Sequence, residues 1–198
     1  MIILSSSSPA RKKLLETLQI LFETHSPDID ETAKENESTE ETVARLSQEK
    51  AQACCEQFKD ALIIGSDQLV CIDSQSLGKP HTHEQAIKQL KLSSGKILYS
   101  YTAITLLNSK TQNQQTRVIP YQVKFKKLDN ETIDRYLRLD TPYQCAGSIR
   151  AEGLGVTLFE WMRGDDPSAL TGLPLIALTE MLQNEEYDVL KHYIKTQS

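Results

Sequence analysis

Apolar residues along this chain recur with two different periods, which together predict both strands and helices. Continuous or alternating apolar runs predict strands over residues 2–4, 21–24, 61–72, 96–108 and 116–127. Apolar positions three and four residues apart predict helices that begin near Pro9, Thr39, Glu84, Asp129 and Gly172. In the last strand, the apolar side chains of Tyr121, Val123 and Phe125 alternate with polar ones. This alternation indicates that one face of the strand is buried and the other is exposed to water. The polar residues 108–115 are predicted to connect the last two strands as a hairpin.

A hydroxyl-rich turn, Ser5 to Ser8, separates the first strand from the first helix. Ser8 is a good N-cap and Pro9 a favoured first helical residue, so the helix begins there. Backbone N–H groups and serine hydroxyls then point to one spot, where the helix dipole favours an anion. Arg11 lies three residues before Leu14, on the core-facing side, and is aimed at the same spot. We interpret this stretch as a phosphate-binding turn; a capped helix with an exposed arginine is the alternative.

A lysine falls in the middle of the apolar stripe of the second predicted helix, which runs from its cap Thr39 to about Phe58. The lysine is Lys50, and the stripe is formed by Val43, Leu46, Ala53 and Cys54. Lysines are almost never fully buried unless they are paired. We therefore expect Lys50 to reach into a cleft and meet an anion there. A lysine whose ammonium extends to the surface is the alternative.

The most strongly β-patterned run, residues 61–72, is broken in its middle by Gly65, Ser66, Asp67 and Gln68. Gly65 permits a bulge or the close approach of a ligand to the backbone. A charge embedded in a buried strand needs a partner or a chemical role. Asp67 is therefore the leading catalytic candidate, as general base or metal ligand. A structural aspartate in a turn at the end of a strand is the alternative.

Three further segments carry charged candidates. Three carboxylates fall within four residues, namely Asp28, Asp30 and Glu31. Such a cluster suits Mg²⁺ or Mn²⁺ but is also typical of a solvated turn. Lys79 stands between Gly78 and Pro80, which can place it rigidly, although the segment lacks the spacing of a Walker A loop. Glu152 lies among glycines in residues 145–155, where it can accept hydrogen bonds from the edge of a base or belong to a plain surface loop.

Composition narrows the classes of function. The chain has 198 residues, 39% of them hydrophobic and 25% charged, as expected of one globular domain or a two-lobed one. A net charge of −5 argues against a general nucleic-acid binder, so a polyphosphate ligand would need a few local cations and a metal. No apolar run approaches a membrane span, and residues 1–5 lack the basic segment of a secretory signal. We therefore expect a cytoplasmic protein with four reduced cysteines.

Short motifs follow one another from residue 2 to about residue 183: Ser5-Ser-Ser-Ser-Pro-Ala-Arg11, Asp30-Glu31, Arg45-Leu-Ser-Gln-Glu-Lys-Ala51, Ile64-Gly-Ser-Asp-Gln68, Gly78-Lys-Pro80, Ala146-Gly-Ser148, Glu152-Gly153 and Gly172-Leu-Pro-Leu175. Each motif alone is weak, but the ordered set is specific. Together they resemble the Maf family of nucleoside triphosphate pyrophosphatases.

The resemblance implies an α/β fold of the inosine-triphosphate-pyrophosphatase kind. A mixed, twisted central sheet would be flanked by helices, with the active cleft between two lobes of a single domain, residues 1–198. The reaction would be hydrolysis of a nucleoside triphosphate to the monophosphate and pyrophosphate, with Mg²⁺ or Mn²⁺ as cofactor. The family's proton acceptor falls on Asp67, and its acidic metal-site candidate on Glu31, with Asp67 as a second candidate ligand. Its phosphate-handling positions fall on Ser6, Arg11, Lys50 and Lys79.

The specificity positions of the family fall on Ala10, Gln68 and Glu152. Gln68 and Glu152 resemble the residues at these positions in the branch of the family that hydrolyses 7-methyl-GTP. The branch that hydrolyses dTTP and UTP would be expected to carry Thr and Gln in their places. Methylation at N7 gives guanine a positive charge that Glu152 can meet while accepting from N1 and N2. Ala10 departs from the branch, which often carries a bulky residue such as Trp, so the base pocket is expected to be looser.

Other functions stay open beside a house-cleaning pyrophosphatase of the nucleotide pool. Within the enzyme class, the alternative is a dTTP/UTP pyrophosphatase or a broad scavenger of modified nucleotides. From another class, the chain could be a nucleotide-binding regulator of cell division with little turnover, although pure binding needs no base such as Asp67. Pyrophosphate release separates the two classes. A homodimer is compatible with the family and is not indicated by the residues.

Overall fold

The computed structural model describes residues 1–193, which build a mixed sheet with helices on both faces. The strands are β1 (Ile2–Ser5), β2 (Glu23–His25), β3 (Leu62–Ile72), β4 (Gln75–Ser76), β5 (Ile97–Asn108), β6 (Gln114–Phe125) and β7 (Phe159–Arg163). Their order is β2-β1-β3-β5-β6-β7, with β4 paired to β3. Strand β1 runs parallel to β2 and β3, and the other pairs are antiparallel. The predicted mixed sheet is confirmed.

The helices are α1 (Pro9–Glu16), α2 (Thr39–Ala53), α3 (His83–Ser93), α4 (Asn130–Asp140) and α5 (Leu175–Asn184). Short 3₁₀ segments lie at Ala146–Ser148, Leu154–Leu158 and Pro167–Thr171. The predicted caps of α1 and α4 are confirmed, since the side chains of Ser8 and Asp129 each accept a backbone N–H three residues later. Among residues 1–193, no helix is long and apolar enough to cross a membrane.

Alternate residues of β1 and β3 pack into apolar cores on opposite faces of the sheet. Ile3 and Ile63 pack under α2, whereas Leu4 and Ile64 pack against α1 and α5. A third cluster lies at the other end of the sheet, under α3 and α4, and contains Val70, Leu90, Leu98, Phe125, Tyr136 and Leu137. The single two-lobed domain stays a prediction, and residues 194–198 of it lie outside the described residues.

Helix α2 differs from its prediction at both ends. Its N-cap is Ser38, which forms a capping box with Glu41, so Thr39 is already helical. The helix ends at Ala53, because Cys54 begins a turn, and does not continue to Phe58. Ala53 is exposed and so is not part of the buried stripe, although helical phase places it near buried Leu46.

Strand β3 is continuous through Gly65, so the strand predicted over residues 61–72 is confirmed and the bulge that Gly65 permits is not formed. Its register with β5 runs without a shift from Leu62 to Cys71. The close approach at Gly65 is made by α2 and not by a ligand, since a Cβ there would lie 2.1 Å from the Ser47 carbonyl oxygen. Two edge strands also differ: β2 begins at Glu23, beyond residue 21, and β7 was not predicted.

Candidate active site

A cleft of about 550 Å³ gathers nine of the candidate residues taken from the sequence; of the three clustered carboxylates, Glu31 lines it, and Asp28 and Asp30 do not. This size suits a small-molecule ligand. The residues come from the β1–α1 turn, the first turn of α1, the β2–α2 segment, α2, β3 and the two loops after β4 and α4. The candidates that line it are Ser6, Ala10, Arg11, Glu31, Lys50, Asp67, Gln68, Lys79 and Glu152. The structure thus brings them together; their individual roles stay predictions.

The turn between β1 and α1 is held by its own serines. Ser6 Oγ accepts from the N–H of Ser8 at 3.1 Å, and Ser8 Oγ accepts from the N–H of Arg11 at 3.4 Å. The Ser5 hydroxyl donates to the Lys50 carbonyl at 2.5 Å and so ties the turn to α2. The capping bonds therefore consume part of the predicted donor set and fix the turn at the mouth of the cleft.

Lys50 is a buried cation between two carboxylates. Its Nζ lies 2.6 Å from Asp67 Oδ1 and 2.8 Å from Glu31 Oε1. Lys50 and Asp67 are each 6% exposed, whereas Glu31 is exposed. The lysine does reach the cleft, as the helical phase predicts, and the anions that it meets in this structure are side chains. The second oxygen of Asp67 accepts no hydrogen bond from residues 1–193, and Asp67 lines the cleft.

These two carboxylates fit a divalent metal ion only together with a ligand. In the described part of the chain, no three His, Cys, Asp or Glu side chains are grouped closely enough to hold a metal by themselves. Mg²⁺, however, is often bound by one or two carboxylates and completed by phosphate oxygens and waters. Glu31 and Asp67 already converge on one cationic group, Lys50 Nζ. The donor set is therefore compatible with Mg²⁺ or Mn²⁺ bound with a phosphorylated ligand.

Arg11 is oriented by a backbone carbonyl from the far end of the chain. Its Nε donates to the oxygen of Gly172 at 2.9 Å, and Arg11 lines the cleft. Burial lowers the pKa of Arg11 from its ordinary value, while Asp67 and Glu31 act in the opposite direction. Gly172 has a φ of 102°, which favours glycine, so the chain can turn its carbonyl towards Arg11.

Gln68 is fixed in its donor and acceptor directions by the same segment. Its Nε2 donates at 3.1 Å to Ala169 O and at 2.9 Å to Leu170 O, and also lies 3.0 Å from Ser100 Oγ. Because two carbonyls surround this atom, it must be the nitrogen and its hydrogens are used. Gln68 can therefore offer only the acceptor Oε1 to a ligand in the cleft.

Lys79 and Glu152 stand exposed at the rim of the cleft. Neither forms a hydrogen bond or an ion pair with the described residues, so both are available to a ligand. Aliphatic side chains form the wall between Gln68 and Glu152: Val70, Ala146, Ile149, Ala151 and Leu170. This part of the cleft offers an apolar surface with acceptors on two sides, as a flat polar ring requires.

The segment from Ala169 to Gly172 was not identified from the sequence as part of the site. Its carbonyls accept from Arg11, Gln68 and also Thr102, whose Oγ1 donates to Ala169 O at 2.8 Å. Backbone carbonyls exist at every residue, so no side-chain pattern marks these. The available signal was Gly172, which opens one of the family motifs and is predicted to begin the last helix, with no role in the site.

The fold and the cleft define an α/β protein that can hold a phosphorylated ligand beside a buried acid–lysine pair. The Staphylococcus aureus Ham1 protein is similar in structure, with a TM-score of 0.52 over 93% of this chain and 98% of that one. Sequence identity in this pair is 13%, so the likeness shows the fold, and the predicted fold class is confirmed.

The family follows from the sequence comparisons. A family model described as Maf-like protein matches residues 1–185. Proteins named 7-methyl-GTP pyrophosphatase are 48% identical in Nitrosococcus oceani, over 96% of this chain and 95% of that protein, and 47% identical in Methylobacillus flagellatus, over 96% and 98%. One of the same name in Pseudomonas aeruginosa is 47% identical over 95% and 98%. The chain belongs to the Maf family.

Proposed function

We propose that this protein hydrolyses 7-methyl-GTP to 7-methyl-GMP and pyrophosphate, and so removes a modified nucleotide from the pool. The observation that carries the proposal is the buried Lys50–Asp67 pair, which faces the serine-rich turn and Arg11 across one cleft. The name of the relatives from Nitrosococcus oceani and Pseudomonas aeruginosa, 7-methyl-GTP pyrophosphatase, supports it. Action in the cytoplasm and a homodimeric state stay predictions.

The triphosphate is held by the cationic end of the cleft. Arg11, Lys50 and Lys79 neutralise its charge, and the Ser6 region of the turn contributes polar donors at the start of α1. A Mg²⁺ or Mn²⁺ ion held by Glu31 and Asp67 would supply charge neutralisation for the leaving pyrophosphate. The residues thus orient the chain of phosphates along the cleft floor.

Asp67 is the base. One of its oxygens is fixed by Lys50 at 2.6 Å, which leaves the other oxygen turned to the cleft to accept a proton from water. The water attacks the α-phosphorus, the bond from that phosphorus to the bridging oxygen breaks, and pyrophosphate leaves. Lys50 keeps the carboxylate oriented during the step, and Arg11 stabilises the charge that develops on the phosphates.

The guanine base of the nucleotide is recognised by hydrogen-bond acceptors of the cleft. Guanine presents N1–H and N2–H donors on one edge, and Gln68 Oε1 and the Glu152 carboxylate both accept. Methylation at N7 makes the guanine ring cationic, so the Glu152 carboxylate attracts it. The faces of the ring pack against the aliphatic wall of the cleft. Cytosine and adenine present an acceptor at the corresponding ring nitrogen, which two acceptors reject.

Pyrophosphate release with Mg²⁺ or Mn²⁺ across 7-methyl-GTP, GTP, dTTP, UTP and CTP tests this proposal. We expect a preference for 7-methyl-GTP. Glu152→Gln should lower kcat/KM for 7-methyl-GTP by about 10-fold or more and change GTP less, since a charge-assisted hydrogen bond becomes a neutral one. Glu160→Gln, an exposed change on β7, is the matched control and should leave both unchanged.

Different outcomes of that panel lead to different conclusions. A preference for dTTP or UTP would keep the mechanism and reject the assignment of Gln68 and Glu152 as readers of guanine. Binding of all five nucleotides without release of pyrophosphate would reject the enzyme and favour the nucleotide-binding regulator.

Gly172→Ala should weaken phosphate binding through Arg11. A side chain at a φ of 102° is strained, and its relaxation would turn away the carbonyl that orients Arg11 Nε. We expect KM for 7-methyl-GTP to rise roughly tenfold, the factor for one weakened charged hydrogen bond. Gly95→Ala is the control, because it has a φ of 71° and meets only Lys127 Cγ at 3.5 Å, far from the cleft residues. Equal KM changes in both variants would contradict the orienting role.

A further inference from the structure

The acidic segment between β2 and α2 has little apolar anchorage. Residues 26–38 contain no helix or strand, and most of their side chains are exposed. None of these residues belongs to the three apolar clusters of the described chain. Yet this segment carries Glu31, whose carboxylate lies 2.8 Å from Lys50 Nζ. Polar contacts must therefore hold the segment against α2.

Arg45 makes these contacts from α2. Its Nε and Nη2 bind the two oxygens of Glu37 at 2.5 and 2.8 Å, and Nη2 also donates to Thr32 O at 3.1 Å. The third nitrogen, Nη1, donates to Glu49 on the same helix at 3.0 Å, which fixes the guanidinium. The side chains of Arg45 and Glu37 are each 16% exposed, so this bidentate pair is shielded far more than an ordinary surface pair.

Glu37 also accepts hydrogen bonds from other residues of the segment and of α2. It accepts from the Lys34 N–H at 2.9 Å and from Thr42 Oγ1 at 3.3 Å. The hydrogen bond from Arg45 is the main cause that lowers the pKa of Glu37 to about 2. Since this folded-state pKa lies below the ordinary value of 4.5, the pairing is present at neutral pH and is lost only as pH falls through about 2.

We propose that Arg45 is a positioning residue of the cleft, which holds residues 31–37 on α2 so that Glu31 stays beside Lys50 and Asp67. Arg45 opens the motif that ends at Ala51 and does not itself line the cleft. Its bond to Thr32 O acts one residue from Glu31, and Lys50 lies five residues further along the same helix. Its effect on turnover rests on the proposed function.

The test combines hydrogen exchange of the unliganded protein with pyrophosphate release from 7-methyl-GTP. Arg45→Gln should speed amide exchange in residues 32–37 on the order of 10- to 100-fold, the factor for losing a hydrogen bond to a charged group, and should lower release about tenfold. Glu31→Gln should lower release with little change in exchange, because this carboxylate is exposed. The double variant should be no slower than Glu31→Gln, since Arg45 acts through Glu31.

Two further variants sharpen the comparison. Arg45→Lys should be intermediate, because an ammonium cannot hold both oxygens of Glu37 and Thr32 O in a planar fork. Arg135→Gln removes an exposed pair with Glu131 on α4 and should change neither exchange nor release. A circular dichroism spectrum shows that each variant is folded.

Unchanged exchange at residues 32–37 in Arg45→Gln would overturn the proposal. Losses of release that add in the double variant would also overturn it, since Arg45 would then not act through Glu31. If the unmodified protein releases no pyrophosphate from any nucleotide, the proposed function fails, and exchange alone decides: faster exchange confined to residues 32–37 supports the anchoring role, and unchanged exchange rejects it.

Discussion

Asp67→Asn is expected to lower the rate of pyrophosphate release from 7-methyl-GTP by about 10²- to 10⁴-fold, the usual contribution of a general base. Asparagine keeps the volume of the side chain in β3 but removes the charge and the oxygen that can take a proton from water. The loss should fall on kcat, because Arg11 and Lys79 still hold the phosphates. Steady-state kinetics with a coupled phosphate assay measure kcat and KM separately.

The same variant needs a control for stability. Lys50 is 6% exposed and, among residues 1–193, would keep only the exposed Glu31 as an ion-pair partner, so the melting temperature should be measured beside the kinetics. Asp73→Asn is the matched change, since Asp73 is exposed just beyond β3 and pairs with Lys96 on the surface. Full turnover by a folded Asp67→Asn protein would remove Asp67 from the catalytic role.

Parts of this molecule that depend on neighbouring residues could be predicted from the sequence. The strand, turn and helix around Ser8 and Pro9 follow from a cap and a first helical residue that act within one turn. The burial of Lys50 follows from helical phase, and that of Val123 from strand alternation. The gathering of the candidates in one cleft followed from the family motifs and not from any periodicity.

Features that depend on distant backbone could not be predicted in this way. The carbonyl of Gly172 meets Arg11 across 161 positions of the chain, and nothing in the side chain of either residue encodes that pairing. Strand β7, from Phe159 to Arg163, lies at an edge and mixes exposed apolar with polar residues, so it shows no clear alternation. The residue at which α2 ends could not be predicted either, because Cys54 is compatible with a helix or a turn.

Gly65→Ala is expected to destabilise the protein by about 3 kcal/mol or more, at the upper end of overpacking costs. An added Cβ would lie 2.1 Å from Ser47 O and 2.8 Å from the nitrogen of Ala51, and both are backbone atoms of α2 that cannot rotate away. The helix must move off the sheet as a body. For a chain of this length, such a loss lowers the melting temperature by roughly 6 to 12 °C, which calorimetry measures directly.

This displacement should also affect the chemistry, because Gly65 lies two residues before Asp67 and packs against Ala51, the residue that follows Lys50. Moving α2 outward lengthens the 2.6 Å contact from Lys50 Nζ to Asp67, so release from 7-methyl-GTP should fall even at temperatures where the variant is fully folded. Gly78→Ala is the control for stability, since a Cβ there meets no atom within 4 Å. If Gly65→Ala melted like Gly78→Ala, the close packing of α2 on β3 would not be what sets the distance between the lysine and the carboxylate.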